Sequence, residues 1–252
     1  MWQPNCSTFT PTLRYDRSVL LLALDTCDAR GSIALLDGGH VLSEVPHPPT
    51  EEFSSWLLPA VAQLLSSHRV SHADLAGYAI ACGPGSFTGV RVGLTTAKAW
   101  AEVYGKPIFP VSRLAILADR APADAPCVAA FIDALRNQIF AALYRRGSGA
   151  SNTLIEESVI SPSDFFSQAA SVSGGRLSWV TPDPHILESK PFSGAHPVSA
   201  DKLVVVQPPF AGAIGRYVAG QAKPLQVDAL ALDANYIRRS DAEIFGKQKV
   251  AS

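Results

Sequence analysis

Hydrophobic positions along the chain arrive in short blocks whose period changes from block to block. Val19 to Asp25 is an apolar run ending on an acid, which predicts a buried strand with Asp25 at its carboxyl end. Ser32 to Leu36 and Val41 to Val45 predict two more strands, joined by a hairpin turn at Asp37-Gly38-Gly39-His40. Pro46 to Pro49 breaks the pattern, and Thr50 is a candidate N-cap with Glu51 and Glu52 in the first turn. Phe53, Leu57, Ala60, Val61, Leu64 and Leu65 then recur at helical spacing, with Pro59 expected to bend the helix near Ser55. Trp56 and Leu58 fall off that stripe; an exposed Trp beside Leu reads either as half-buried or as a contact anchor. Asp74 to Cys82 leads into a fourth strand, an Ala-rich helix runs from Leu94 to Tyr104, and Lys106 to Pro110 predicts a fifth strand. Ser112 is a candidate cap for a third helix ending at Arg120.

Three strands, a helix, a strand, a helix, a strand and a helix make a mixed sheet covered by helices. Ala121 to Pro126 reads as a linker, after which the theme restarts. Cys127 to Ile132 is apolar and ends in Asp133, as the first strand ends in Asp25. Gln138 to Arg145 and Thr153 to Val159 predict strands, and Pro162 to Ala170 a helix capped by Ser161. Ser171 to Val206 is Ser/Pro/His-rich, with short strands expected at Leu177 to Val180 and Val204 to Val206. Phe210 to Gln221 predicts a last helix, and Asp241 to Ser252 a frayed polar end.

Between the fourth strand and the Ala-rich helix lies Gly83-Pro84-Gly85-Ser86-Phe87-Thr88-Gly89-Val90-Arg91-Val92-Gly93. Two readings of it stay open. Glycines ahead of a helix let backbone N–H groups approach an anion. Yet no Gly-Lys-Ser/Thr follows, and the third glycine of a dinucleotide fingerprint is missing. Alternatively the glycines serve packing: Gly89, Gly93, Ala97 and Ala101 recur every four residues on one helix face, where another helix can come close. That second helix belongs either to this chain or to a partner.

Composition narrows the field. With 47% apolar and 17% charged residues over 252 positions, the chain is a core-forming globular protein. A net charge of −1 gives no basic field to hold nucleic acid unaided. Cys6, Cys27, Cys82 and Cys127 are far apart, which argues against a zinc site and a disulfide framework and for a reducing, cytoplasmic compartment. No apolar run reaches the roughly 18 residues of a membrane span. Residues 1–18 are polar and Pro/Thr-rich and read as a floppy tail, the kind an over-extended start would leave.

Val19-x5-Asp25-Thr26, the glycine stretch, Ile132-Asp133-Ala134 and Tyr236-Ile237-Arg238 together resemble the bacterial TsaB (YeaZ) family over about residues 19–240. The resemblance implies an α/β, actin-like (ASKHA, ribonuclease-H-like) duplicated fold of two mixed-sheet subdomains. The expected boundaries are 19–111 and 112–236, with tails at 1–18 and 237–252. It implies a supporting role in tRNA modification: a non-catalytic dimerisation subunit for a catalytic paralogue, TsaD, which acts with the ATPase TsaE to threonylcarbamoylate the adenosine beside the anticodon. The tRNA is met only through the complex, and a homodimer is the other pairing. No cofactor, metal or membrane is implied.

Residue by residue, the resemblance carries over unevenly. The catalytic paralogue has a metal-binding His-x-x-x-His pair where this chain has Arg113 and Leu117, and neither offers a lone pair. Nucleotide-binding relatives need a second phosphate loop after Asp133, and here it reads Ala134-Leu135-Arg136-Asn137, without glycine. Ser178 to Pro182 lacks the glycines of an adenosine-binding turn. Phe53-Ser54 replaces a His-Ser or His-Thr common in the family. The expected partner interface is Leu57, Leu58, Val61 and Leu65 on the first helix with Gly89, Gly93, Leu94 and Ala97 on the second. The rival reading is an ATPase or kinase of the same superfamily acting alone, with Asp25 and Asp133 holding Mg²⁺ through water.

Overall fold

The computed structural model describes residues 19–146, 152–174, 176–188 and 202–227. The tails at 1–18 and 237–252, and the Tyr236-Ile237-Arg238 motif, lie outside the described residues. The chain divides into two compact units, one built up to Ser112 and from Pro208 onward, the other from Arg113 to Gln207.

In the first unit, β1 (Leu20–Asp25), β2 (Ser32–Asp37) and β3 (His40–Pro46) form an antiparallel meander. The β2–β3 turn puts Gly38 and Gly39 at φ 53° and 87°, the left-handed pair that a tight hairpin needs. β4 (Gly77–Ala81) and β5 (Ile108–Val111) add in parallel, giving the order β3-β2-β1-β4-β5. Two helices link these strands, α1 (Phe53–Ser67) and α2 (Phe87–Tyr104). α1 begins later than expected, with Glu52 rather than Thr50 at the cap position. A turn in which Glu51 N–H bonds the Pro48 carbonyl carries the chain past Thr50 first. α2 begins earlier, because Ser86 Oγ accepts from Gly89 N–H at 3.1 Å and so caps the helix inside the glycine stretch. Gly105, at φ 62°, ends it.

The second unit repeats the plan. After α3 (Arg113–Asp119), β6 (Cys127–Asp133), β7 (Ile139–Arg145) and β8 (Asn152–Ile160) form the meander. α4 (Pro162–Ser173) starts where Ser161 Oγ accepts from Asp164 N–H. β9 (Ser178–Thr181) and β10 (Leu203–Val205) run parallel to β6, in the order β10-β9-β6-β7-β8. Alternate residues of β6 and β7, from Cys127 to Phe131 and Ile139 to Leu143, meet Phe165, Phe166 and Ala169 of α4 and Trp179 in one apolar core. The Arg146 guanidinium, just past β7, donates to the carbonyls of Ala118, Asp119, Ala121 and Pro122 and so closes the end of α3.

The last helix, α5 (Ala211–Ala219), corrects the expected boundary at 112–236, because it belongs to the first unit. Its first N–H groups are taken by side chains of the first sheet: Ala211 N–H by Ser32 Oγ at 3.0 Å and Gly212 N–H by Glu44 Oε1 at 2.9 Å. A side chain at Gly215 would collide with Leu36, so only glycine lets the helix lie this close. The register places Leu36 and Ile80 on opposite faces of the sheet, so α5 covers one face and α2 the other.

Candidate functional site

The glycine stretch is filled by the chain's own backbone. Past β1 the chain turns through Thr26 and Cys27, both buried, with Cys27 N–H donating to Asp25 Oδ1 at 3.0 Å. Ser86 N–H donates to the Cys27 carbonyl at 2.6 Å, and Thr26 Oγ1 donates to the Gly89 carbonyl at 2.7 Å. A Cβ at Gly85 would meet the Cys27 carbonyl, one at Gly89 the Thr26 carbonyl, and one at Gly93 the Thr26 hydroxyl. The glycines therefore admit a turn of the first sheet, not a second helix. Two donors that an anion would use, Ser86 N–H and Gly89 N–H, are already engaged.

The eight residues of the expected interface differ sharply in exposure. Leu57, Val61 and Leu65 of α1 are buried within the first unit, as are Gly89, Gly93, Leu94 and Ala97 of α2. They are covered within the chain itself. Leu58 alone of the eight is exposed, at 53%. Trp56 is not a surface anchor either; it is buried beside Phe53 and His47.

What α1 does show to solvent is unusual in composition. Phe53–Ser67 contains no charged residue, and its outward positions are Ser54, Ser55, Leu58, Pro59, Ala62, Gln63, Ser66 and Ser67. An exposed helix face usually carries charge. On α2, Thr88, Arg91, Thr95 and Ala99 are exposed, and the Arg91 guanidinium lies 3.7 Å from the centre of the Phe87 ring. The outward face of α1 is thus uncharged and small-chained, broken by Leu58, whereas α2 also exposes the charged Arg91 and Glu102 and the larger Phe87, Val103 and Tyr104.

The carboxylates of the rival reading are engaged locally. Asp133 Oδ1 accepts from Leu135 N–H at 2.7 Å, its Oδ2 is 3.1 Å from His185 Nε2, and its own N–H donates to Asp183 Oδ2. Leu135, Arg136 and Asn137 follow at φ 61°, 54° and 58°, three left-handed residues without a glycine among them. Among the described residues, no three His, Cys, Asp or Glu side chains are grouped to hold a metal ion. At the paralogue's metal positions, Arg113 and Leu117 are both buried. No helix of the described residues is long and apolar enough to cross a membrane.

Two histidine clusters escaped the sequence reading. His47 is buried and stacks on Phe53 at 3.9 Å, with Nδ1 3.2 Å from the Ala29 carbonyl. His72 lies among Tyr78, Trp100 and Tyr104, and burial holds its imidazole below the ordinary range. The i,i+4 spacing of Trp100 and Tyr104 was the available signal for the second.

Comparison with known proteins agrees with this geometry. The family model described as tRNA N6-adenosine threonylcarbamoyltransferase (TsaD) matches residues 41–204. A tRNA threonylcarbamoyladenosine biosynthesis protein TsaB from Escherichia coli K12 is 33% identical over 164 residues, 64% of this chain and 69% of the relative. Its counterpart in Bacillus subtilis 168 is 32% identical over 145 residues, 58% of this chain and 63% of the relative. The chain thus spans under two thirds of the Bacillus relative's length. The solved structure of YeaZ from Pseudomonas aeruginosa superposes with a TM-score of 0.62 at 28% identity, covering 85% of this chain and 98% of that one.

Proposed function

Given that the chain belongs to the TsaB (YeaZ) branch of the threonylcarbamoyltransferase family, we propose that it is the non-catalytic subunit of a tRNA threonylcarbamoyladenosine transferase complex. It docks on a TsaD-like catalytic paralogue, a TsaE-like ATPase joins them, and tRNA is engaged through the complex. The observation that carries this reading is the uncharged outward face of α1, next to a glycine stretch occupied by the chain's own turn. A face of this kind loses little by leaving water and gains a close fit. Seating the exposed half of Leu58 in a partner's pocket contributes on the order of 1 kcal/mol.

The test is co-expression with the TsaD-type protein of the same organism, followed by gel filtration. The wild-type chain co-elutes with it. Leu58→Asp loses the complex while keeping its own melting temperature. Val172→Asp, a matching change on the exposed side of α4, keeps the complex. Failure of the wild-type chain to co-elute, or nucleotide turnover by the lone chain that Asp25→Ala abolishes, would reject the scaffold reading. Loss of threonylcarbamoyladenosine from the tRNA of cells lacking this chain would support its place in the modification.

A further inference from the structure

The corner between α1 and β4 holds a cluster that partner docking does not use. His72 sits in a short helical turn, His72–Asp74. Its ring lies on Tyr104 at 4.7 Å with 8° between planes, and Trp100 is 4.8 Å away. Its Nδ1 is 3.0 Å from the phenolic oxygen of Tyr78, which is buried. One imidazole thus ties the turn to β4 and to the last two turns of α2.

The protons decide how firm the tie is. Burial pushes the Tyr78 phenol far above its ordinary range, so it keeps its hydrogen; the neutral imidazole with its proton on Nε2 accepts that hydrogen at Nδ1. Protonated His72 carries a hydrogen on Nδ1, and two donors then face each other. The phenol can rotate to accept, but its own hydrogen then gives up the imidazole acceptor, and the bond is weakened.

The charged groups around the ring do not offset this. Asp74 accepts from Ser71 N–H and Oγ at 2.8 and 2.5 Å, and Lys106 Nζ reaches the Ala73 carbonyl at 2.6 Å. The ring faces of Tyr104 and Trp100 attract an imidazolium weakly; burial outweighs them.

We propose that His72 is a pH-responsive clamp: neutral, it locks the 72–74 turn onto β4 and the end of α2; protonated, it lets that corner open.

Amide hydrogen exchange on the full chain, at about pH 8 and about pH 5.5 and corrected for intrinsic rates, tests this. Wild type should exchange several-fold faster at residues 70–78 and 100–106 in acid. His72→Asn keeps an acceptor near the Nδ1 position and cannot titrate, so it should show no such increase. Tyr78→Phe removes the facing donor and should shrink the pH effect. An acid response in His72→Asn as large as in wild type overturns the clamp. So does an NMR titration placing the wild-type His72 imidazole at or above the ordinary histidine value, a readout that stands even if a variant fails to fold.

Discussion

Thr26 and Gly89 are held together from both sides of one residue: the Thr26 hydroxyl donates to the Gly89 carbonyl at 2.7 Å, and the Thr26 carbonyl fills the space a Cβ at position 89 would need. Gly93 meets the same threonine through its hydroxyl. The two glycines should therefore respond differently to mutation. Gly89→Ala collides with main chain and should lose about 2 kcal/mol or more of stability. Gly93→Ala collides with a side-chain oxygen, so Thr26→Ala in the same chain should return part of the loss. A double-mutant cycle by urea unfolding reads the coupling. Equal, additive losses at both sites would mean the contact is not the cause.

Leu57 and Leu58 are chain neighbours with opposite surroundings, 1% and 53% exposed. Leu57→Ala should cost about 2–5 kcal/mol of folding stability through the cavity it leaves. Leu58→Ser should stay within about 0.5 kcal/mol of wild type in the isolated chain. Thermal melts of the purified variants compare them directly.

Arg146 gathers four carbonyls at the end of α3. Arg146→Ala leaves those carbonyls to water and should destabilise the second unit by on the order of 2 kcal/mol. Arg146→Lys keeps the charge but not the fork, and should recover only part. Hydrogen exchange at residues 113–122 would localise the loss; unchanged protection there would sink the assignment.

His47 Nε2 is buried and finds no hydrogen-bond partner among the described residues. His47→Phe keeps the stack on Phe53, removes that orphan acceptor and gives up the bond to Ala29. The two effects oppose each other, so stability should move by no more than about 1 kcal/mol. His47→Ala loses the ring as well and should cost clearly more. A large loss in His47→Phe would show that the imidazole nitrogens matter beyond shape.

Acid should weaken the fold in two steps. The lowered His72 value means the folded state favours the neutral ring, so its contribution is whole above about pH 6.5 and is lost as pH falls below it. Asp74 is lowered by the Ser71 side-chain and backbone bonds, so its contribution is whole above about pH 4 and is lost below. The melting-temperature advantage of wild type over His72→Asn should shrink as pH falls through the first window, and its advantage over Ser71→Ala should shrink through the second. Differences that stay flat with pH would contradict both assignments.

Much of the architecture was legible because local rules decided it. The Gly38-Gly39 turn, the Ser161 cap and the strands ending on Asp25 and Asp133 all stand where pattern placed them. The actin-like plan of two mixed sheets follows from the doubled meander. The candidate site was less legible, since helical spacing identifies a face without saying what covers it. The stripe from Gly89 to Ala97 was visible, but its cover is a turn more than 60 residues earlier in the chain. Trp56 looked peripheral because the stripe was drawn without His47, which lies before the helix and, with Phe53, encloses it from another direction. The Gly212 and Gly215 contacts with Glu44 and Leu36 depend on sequence separations that no local pattern records.

The return of α5 to the first sheet has a consequence for biogenesis. During synthesis the strands carrying Leu36 and Glu44 emerge early, yet the segment that shelters one of their faces is translated more than 160 residues later. That apolar surface stays uncovered on the nascent chain while the whole intervening unit is being made. Ribosome-bound chains halted before Ala211 should therefore engage chaperones more readily than chains released past Ala219, which ties the safe ripening of the first sheet to a segment made long after it.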